Sequence, residues 1–216
     1  MYTDRDGLFE EVLTEAEQAK LTPESVILAL KQGNSRFVAG EVTIRNHKAQ
    51  IRKAVLSQFP KAIVLSCVDS RVPVEDVFDR GIGDLFVARV AGNFVNPDIL
   101  GSMEFACHVS GAKVILVLGH EHCGAVKSAI DDVKLGNITE MLSKITPAVD
   151  ATDGFKGKRT SSNEEFVHAV TEANVRLTIQ RIRDESSVLR QMEADQSIAI
   201  CGALYDMDNG EVTFLN

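Results

Sequence analysis

No apolar run in this 216-residue chain approaches the roughly 20 residues needed to cross a bilayer. No compact Lys/Arg block offsets its formal charge of -8. The two absences predict neither a membrane nor a nucleic acid as partner, because an acidic surface repels phosphates and acidic headgroups. A Cys-x-x-Cys pair is also missing, which argues against a thiol redox protein. The amino terminus, MYTDRDGLFEEVLTEAEQ, is acidic where a targeting peptide would be basic, so a cytoplasmic protein is expected. In that compartment the four cysteines are poor candidates for disulfides, and burial or metal binding must account for them. There are no internal repeats, and with 44% hydrophobic residues one sizeable core is the default.

What is present alternates between strand and helix. Ala62 to Leu65 and Val114 to Leu118 are continuous aliphatic runs, the pattern of strands buried on both faces of a parallel sheet, and Leu85 to Ala88 and Ile198 to Ile200 read likewise. Between them the spacing predicts helices over about 99 to 109 behind an Asp98 cap, about 124 to 134, and Glu164 to Arg183. Thr22-Pro23 has the chemistry of a cap followed by proline at the first helical position, predicting a helix over about 23 to 39. A weaker stripe (Leu8, Val12, Leu13, Ala16) precedes it, too poor to bury much alone. Asp208-Asn209-Gly210 between two short β-like runs predicts a hairpin that adds an antiparallel edge strand. The expected fold is a three-layer α/β domain.

The chemistry-bearing residues fall at the carboxyl ends of two of those strands, where open α/β sheets bind ligands. Cys67-Val68-Asp69-Ser70-Arg71 comes after the first, and Gly119-His120-Glu121-His122-Cys123-Gly124 after the third. If the two strands are neighbours, Cys67, His120 and Cys123 converge as a thiolate and imidazole set suited to zinc, leaving a fourth position open as catalytic sites require. The bland alternative is a pair of buried thiols with a turn histidine. Asp69 and Arg71, two apart, would share a face and could pair bidentately; beside a metal the carboxylate could orient a water-derived nucleophile while Arg71 keeps it ionised. Cys107 and Cys201 lie in apolar periodic segments and read as core thiols. His122 is a tempting proton shuttle but reads as an ordinary turn histidine, as do His47, His108 and His168.

The segment Ser66 to Asn93, SCVDSRVPVEDVFDRGIGDLFVARVAGN, together with Ile115 to Ile130, ILVLGHEHCGAVKSAI, resembles the β-class carbonic anhydrases. The resemblance runs from about Leu21 to the carboxyl terminus. It implies one zinc ion per subunit on Cys67, His120 and Cys123, an Asp69/Arg71 dyad, and a four-stranded parallel sheet with an antiparallel edge strand. It implies reversible hydration of carbon dioxide to bicarbonate and a proton, by hydroxide generated on zinc. It also implies a homodimer or homotetramer whose site mouth is shared between subunits. On that reading residues 1–40 form a helical arm packing on a partner, and residues 41–216 the zinc-binding catalytic domain.

One subgroup of that family keeps the aspartate paired with arginine; another lets it fall onto zinc as a fourth ligand and carries a tryptophan in a bicarbonate pocket. This chain has no tryptophan, and Gln58, Phe86 and Gly124 match substrate-pocket residues of the open subgroup. The departure is Val90-Ala91-Gly92-Asn93, where that subgroup carries Asn-x-Ala-Asn after the arginine matched by Arg89. Two other functions remain: hydrolysis of carbonyl sulfide or carbon disulfide on the same scaffold, and a non-catalytic zinc- or bicarbonate-binding protein.

Overall fold

The computed structural model describes residues 8–215. Its sheet has the strand order β2-β1-β3-β4-β5, formed by β1 (Ala62–Ser66), β2 (Leu85–Arg89), β3 (Val114–His120), β4 (Ala199–Tyr205) and β5 (Val212–Phe214). The first four strands are parallel and β5 is antiparallel to β4. The expected four-plus-one sheet is therefore present. The run Ile198 to Ile200 and the run leading into the hairpin, read separately from the sequence, belong to one strand, β4, and the run after the hairpin is β5.

Alternation explains the layers. Ile63, Leu65, Ile115 and Val117 point into a core shared with Met103, Val175, Ile182 and Leu189. Their neighbours Ala62, Val64, Val114 and Leu116 point the other way, toward Val26, Leu30, Val77 and Phe78. Successive side chains on a strand face opposite sides, so a run with no polar residue needs cover on both. On the first face the cover comes from α5 (Pro97–Glu104), α9 (Glu164–Glu185) and α10 (Ser187–Ala194); on the second from α2 (Pro23–Ala39) and α4 (Val74–Val77). A third cluster, built from α6 (Gly124–Ile130), α7 (Gly136–Ser143), α8 (Thr146–Asp150) and the start of α9, packs Val126, Ile145, Phe166 and Val170 around Cys67 and Cys123. The α-helices α1 (Glu15–Gln18) and α3 (His47–Ala54) and a π-helical turn, Phe105–Val109, that continues α5 complete the set.

Helix α2 starts where its cap predicts. Thr22 and Ser25 exchange side-chain hydrogen bonds with each other's backbone N–H groups, at 3.2 and 2.9 Å, and Gly40 ends the helix at φ +71°. Its Asn34, buried, donates to the carbonyls of Val77 and Gly210 and accepts from the Val212 N–H at 2.8 Å, stitching the helix to α4 and the hairpin. Gly33 is required here, because a Cβ would lie 1.9 Å from the Phe78 carbonyl oxygen.

Several expectations need correction. Helix α5 is capped by Asn96, whose side chain accepts from the Ile99 N–H at 2.9 Å, with Pro97 next; Asp98 lies in the first turn. The rule that placed Thr22-Pro23 applied equally to Asn96-Pro97. Helix α6 stops at Ile130, four residues early, because Asp132 takes a left-handed φ of +50°. Strand β2 is only half-buried, as befits an edge. Of the N-terminal arm, the helix over 23–39 is present as α2; along the weaker stripe no helix precedes Glu15 among the described residues, and Phe9 pairs with Arg45 as an isolated bridge. Val26 and Leu30 of α2 are buried against the chain's own sheet, leaving Leu28 and Val38 exposed on its outer face. Residues 1–7 of that arm lie outside the described residues.

Asp79, its side chain fully buried, is held by Arg36 and Arg45 at 2.6 Å each and by the Thr43 N–H and hydroxyl. Burial pushes this carboxyl up, but the bonds from Arg45, Arg36 and Thr43 together outweigh it and the net shift is downward. A lowered folded-state pKa means stabilisation that is present above the unfolded pKa, about 4, and lost as pH falls through the folded value. Asp79→Asn leaves Arg45 buried against a neutral partner and is expected to cost about 3 kcal/mol at neutral pH. Urea unfolding of both proteins should show that gap at pH 7 and its narrowing below about pH 4.

Candidate metal centre

Strands β1 and β3 are direct neighbours, with Ser66 opposite Leu118. Cys67 therefore leaves the sheet beside the point where β3 ends in His120. After His120 the chain turns through Glu121 and His122, the latter at φ +54°, and Cys123 sits at the cap position of α6. Gly119 lets α9 approach this end of β3, since a Cβ would come within 2.8 Å of Val175. The result is one buried group, Cys67, His120 and Cys123, whose ligand atoms lie within 4.8 Å of one another.

The donor geometry suits a metal. The two sulfurs are 4.0 Å apart; thiolates on a tetrahedral zinc with Zn–S near 2.3 Å sit roughly 3.8 Å apart. His120 Nδ1 lies 2.8 Å from the Glu121 carbonyl, which can only accept, so Nδ1 carries the proton and Nε2 the lone pair. That Nε2 is buried without a hydrogen-bond partner. An orphaned buried acceptor is costly unless something coordinates it. Between the cysteines, the Cys123 thiol hydrogen bond lowers the Cys67 pKa despite burial, assisted by His120 and the Gly92 N–H at 3.3 Å. Cys123 is raised by the same contact and by burial.

Asp69 is clamped by Arg71: the guanidinium donates to both carboxylate oxygens at 3.0 and 2.8 Å, and the Arg71 N–H adds a third bond at 3.0 Å. These bonds hold the carboxyl well below the usual carboxylate range. Asp69 Oδ2 stands 4.0 Å from His120 Nε2, close enough to reach a group bound at the centre while remaining paired.

Of the residues singled out in the sequence, the structure brings together Cys67, Asp69, Arg71, His120 and Cys123, with Gly124 opening α6 beside them. It does not bring Gln58 or Phe86 to them within one chain. Gln58 is exposed ahead of β1, whereas Cys67 lies past the strand's other end. Phe86 is paired with Ile63, four residues or about 13 Å down the strand from Cys67. Cys107 is buried, Cys201 nearly so, and burial pushes both thiols up to about 12.

Three supporting groups were given no role from the sequence, although Arg89 and Gly92 were noted in the family match. Arg89, at the end of β2, donates to the carbonyls of Cys67 and Asp69 at 2.9 and 2.7 Å. Gly92 donates to the Cys67 sulfur, and its own carbonyl accepts from Asn174 at 2.8 Å. Arg89 and Gly92 sit at and just past the carboxyl end of β2, the strand on the other side of β1, so the strand-end rule that found Cys67 and His120 could have found them too. Met207, whose sulfur lies 3.2 Å from His120 Nδ1, gave no signal.

A family model described as carbonic anhydrase matches residues 62–212. Carbonic anhydrase 2 of Mycobacterium tuberculosis is 35% identical over 194 residues, 87% of this chain and 90% of that protein. Two solved structures share the fold: the β-carbonic anhydrase CafA of Aspergillus fumigatus, with a TM-score of 0.71 at 23% identity over 89% of this chain and 90% of that one, and tetrameric β-carbonic anhydrases of Sordaria macrospora, with 0.69 at 23% over 89% and 98%.

Proposed function

The chain belongs to the β-class carbonic anhydrase family, and from that premise we propose that it hydrates carbon dioxide reversibly to bicarbonate with one zinc ion held by Cys67, His120 and Cys123. The observation that carries the proposal is the buried, unpartnered Nε2 of His120 facing two cysteine sulfurs 4.0 Å apart. When bound, zinc supplies Lewis acidity that brings the pKa of water down to about 7.

The chain's own residues do the rest. Asp69 is the acceptor that fixes where the nucleophile's proton points, so that a lone pair faces the carbon of carbon dioxide. Arg71 keeps Asp69 ionised and holds it off the metal, which leaves the fourth position free. That clamp favours the catalytic reading over a closed, non-catalytic one. Arg89 and the Gly92 N–H fix the Cys67 backbone and sulfur, so the ligands are set before substrate arrives. The Gly124 backbone is a partner for a bicarbonate oxygen.

Gln58 and Phe86 enter this scheme only from a neighbouring subunit, in a homodimer or homotetramer. Support comes from the apolar surface around them: Val55 and Leu56 are 73% and 94% exposed, and Phe86 lines a groove with the half-exposed Phe105. The outer face of α2, where Leu28 and Val38 are exposed, and the described residues before it form the arm of such an assembly. We place the protein in the cytoplasm, where reducing conditions keep Cys67 and Cys123 available as ligands; among the described residues no helix is long and apolar enough to cross a membrane. Parallel assays on carbon dioxide and carbonyl sulfide test the substrate. Hydration of carbon dioxide should dominate, and turnover of carbonyl sulfide alone would overturn the assignment.

A further inference from the structure

A second group of potential ligands lies on the outer side of the turn that carries His120. The pairing of β3 with β4 sets His120 opposite Tyr205, and the Glu121 N–H donates to the Tyr205 carbonyl at 3.1 Å. This brings the β4–β5 hairpin over the turn. Glu121, His122 and Asp208 then offer ligand atoms within 4.8 Å of one another. They border a cavity of about 170 Å³, whose lining also includes Glu164, His168 and Thr171.

Two features set this group apart from an incidental surface cluster. First, the Glu121 and Asp208 carboxylates converge with no hydrogen bond to either side chain among the described residues; Glu121 faces the His168 imidazole, whose Nδ1 stands 3.5 Å away. The imidazole of His122 likewise has no hydrogen bond, its nearest charged neighbour being Glu164 at 4.0 Å. Like charges held this close favour a cation between them. Second, the donor set is mixed. An imidazole with two carboxylates suits borderline divalent transition ions rather than calcium or magnesium, which take oxygen ligands. The cavity leaves room for water to complete the coordination, and His168 stands behind Glu121 as the outer partner that orients a ligating carboxylate.

We propose that Glu121, His122 and Asp208 form a second divalent-metal site, for an ion such as zinc, cobalt or nickel, that ties the β4–β5 hairpin to the turn bearing His120. Its position gives it a structural consequence. Asp208 is adjacent to Met207, whose sulfur contacts His120 Nδ1, so an ion bound to Asp208 and His122 fixes both flanks of that histidine. The site is separate from the Cys67, His120 and Cys123 set and stands whether or not that set is catalytic.

The test is a zinc titration by calorimetry into protein already carrying one equivalent. A second equivalent should bind with a dissociation constant on the order of micromolar, and the unfolding temperature should rise with zinc concentration. Asp208→Asn is isosteric, and His122→Asn keeps a residue that tolerates the left-handed backbone. Each should weaken the second equivalent at least about tenfold and remove the zinc-dependent rise, while retention of the first equivalent reports that the variant is folded. Saturation of the wild type at one equivalent up to about 1 mM zinc would overturn the site. A second equivalent that both variants bind unchanged would place it elsewhere and overturn it as well.

Discussion

Cys67→Ser is expected to strip the protein of its tightly bound zinc and to abolish carbon dioxide hydration. A serine hydroxyl is not deprotonated near neutral pH and is a poor ligand for a borderline-soft ion, whereas the cysteine sulfur stands 4.0 Å from Cys123 with a backbone N–H behind it. Changes to outer partners of a metal site already cost about 10–100-fold in affinity; losing one of three ligands should cost more than about a hundredfold on that scale. The fold should survive, because the packing of β1 comes from Ala62 to Leu65 and the replacement is nearly isosteric. Metal analysis after dialysis, together with hydration rates, checks both halves. A serine variant that kept a full equivalent of zinc would remove Cys67 from the ligand set.

Asp69→Asn is expected to separate metal binding from turnover. Zinc should stay at one equivalent, since Asp69 is not among the three proposed ligands. Hydration should fall about 10²–10³-fold, the usual cost of losing one preorganised polar partner of the reacting group. The reason is polarity: an asparagine can turn its NH₂ group toward the centre, where the carboxylate accepts. It also breaks the bidentate pairing, because Arg71 has five donors and no acceptor to offer an amide. Arg71→Ala should lower turnover too, by freeing a carboxylate now 4.0 Å from His120 Nε2 to occupy the fourth position. Undiminished hydration in Asp69→Asn would count against the dyad.

Most of the sheet was legible because its strands are long aliphatic runs. Val114 to Leu118 has no polar residue, and only a strand covered on both faces tolerates that in this setting. What the runs could not give was adjacency. Whether Cys67 meets His120 depends on β1 and β3 pairing, and no local spacing encodes that choice. The short helices α3, α7, α8 and α10 escaped: α7 and α8 have no side-chain cap to announce them, and α3 and α10, though capped by Asn46 and Ser186, are only eight residues each, too short for a clear apolar period. Asp208 could not be joined to Glu121 and His122 from sequence for the same reason as Cys67, since the pairing of β3 with β4 makes the contact. Arg89, by contrast, was in plain view at a strand's carboxyl end. Gln58 and Phe86 mark the limit of one chain: within it neither reaches Cys67, and a pocket role for them rests on the proposed assembly.

The most direct measurement is stopped-flow carbon dioxide hydration from about pH 6 to 9, with zinc content determined on the same sample. One zinc per chain, with a rate that rises through about pH 7 to an alkaline plateau, is the predicted result. Fully zinc-loaded protein that stayed inactive at the alkaline end would contradict a catalytic zinc on Cys67, His120 and Cys123.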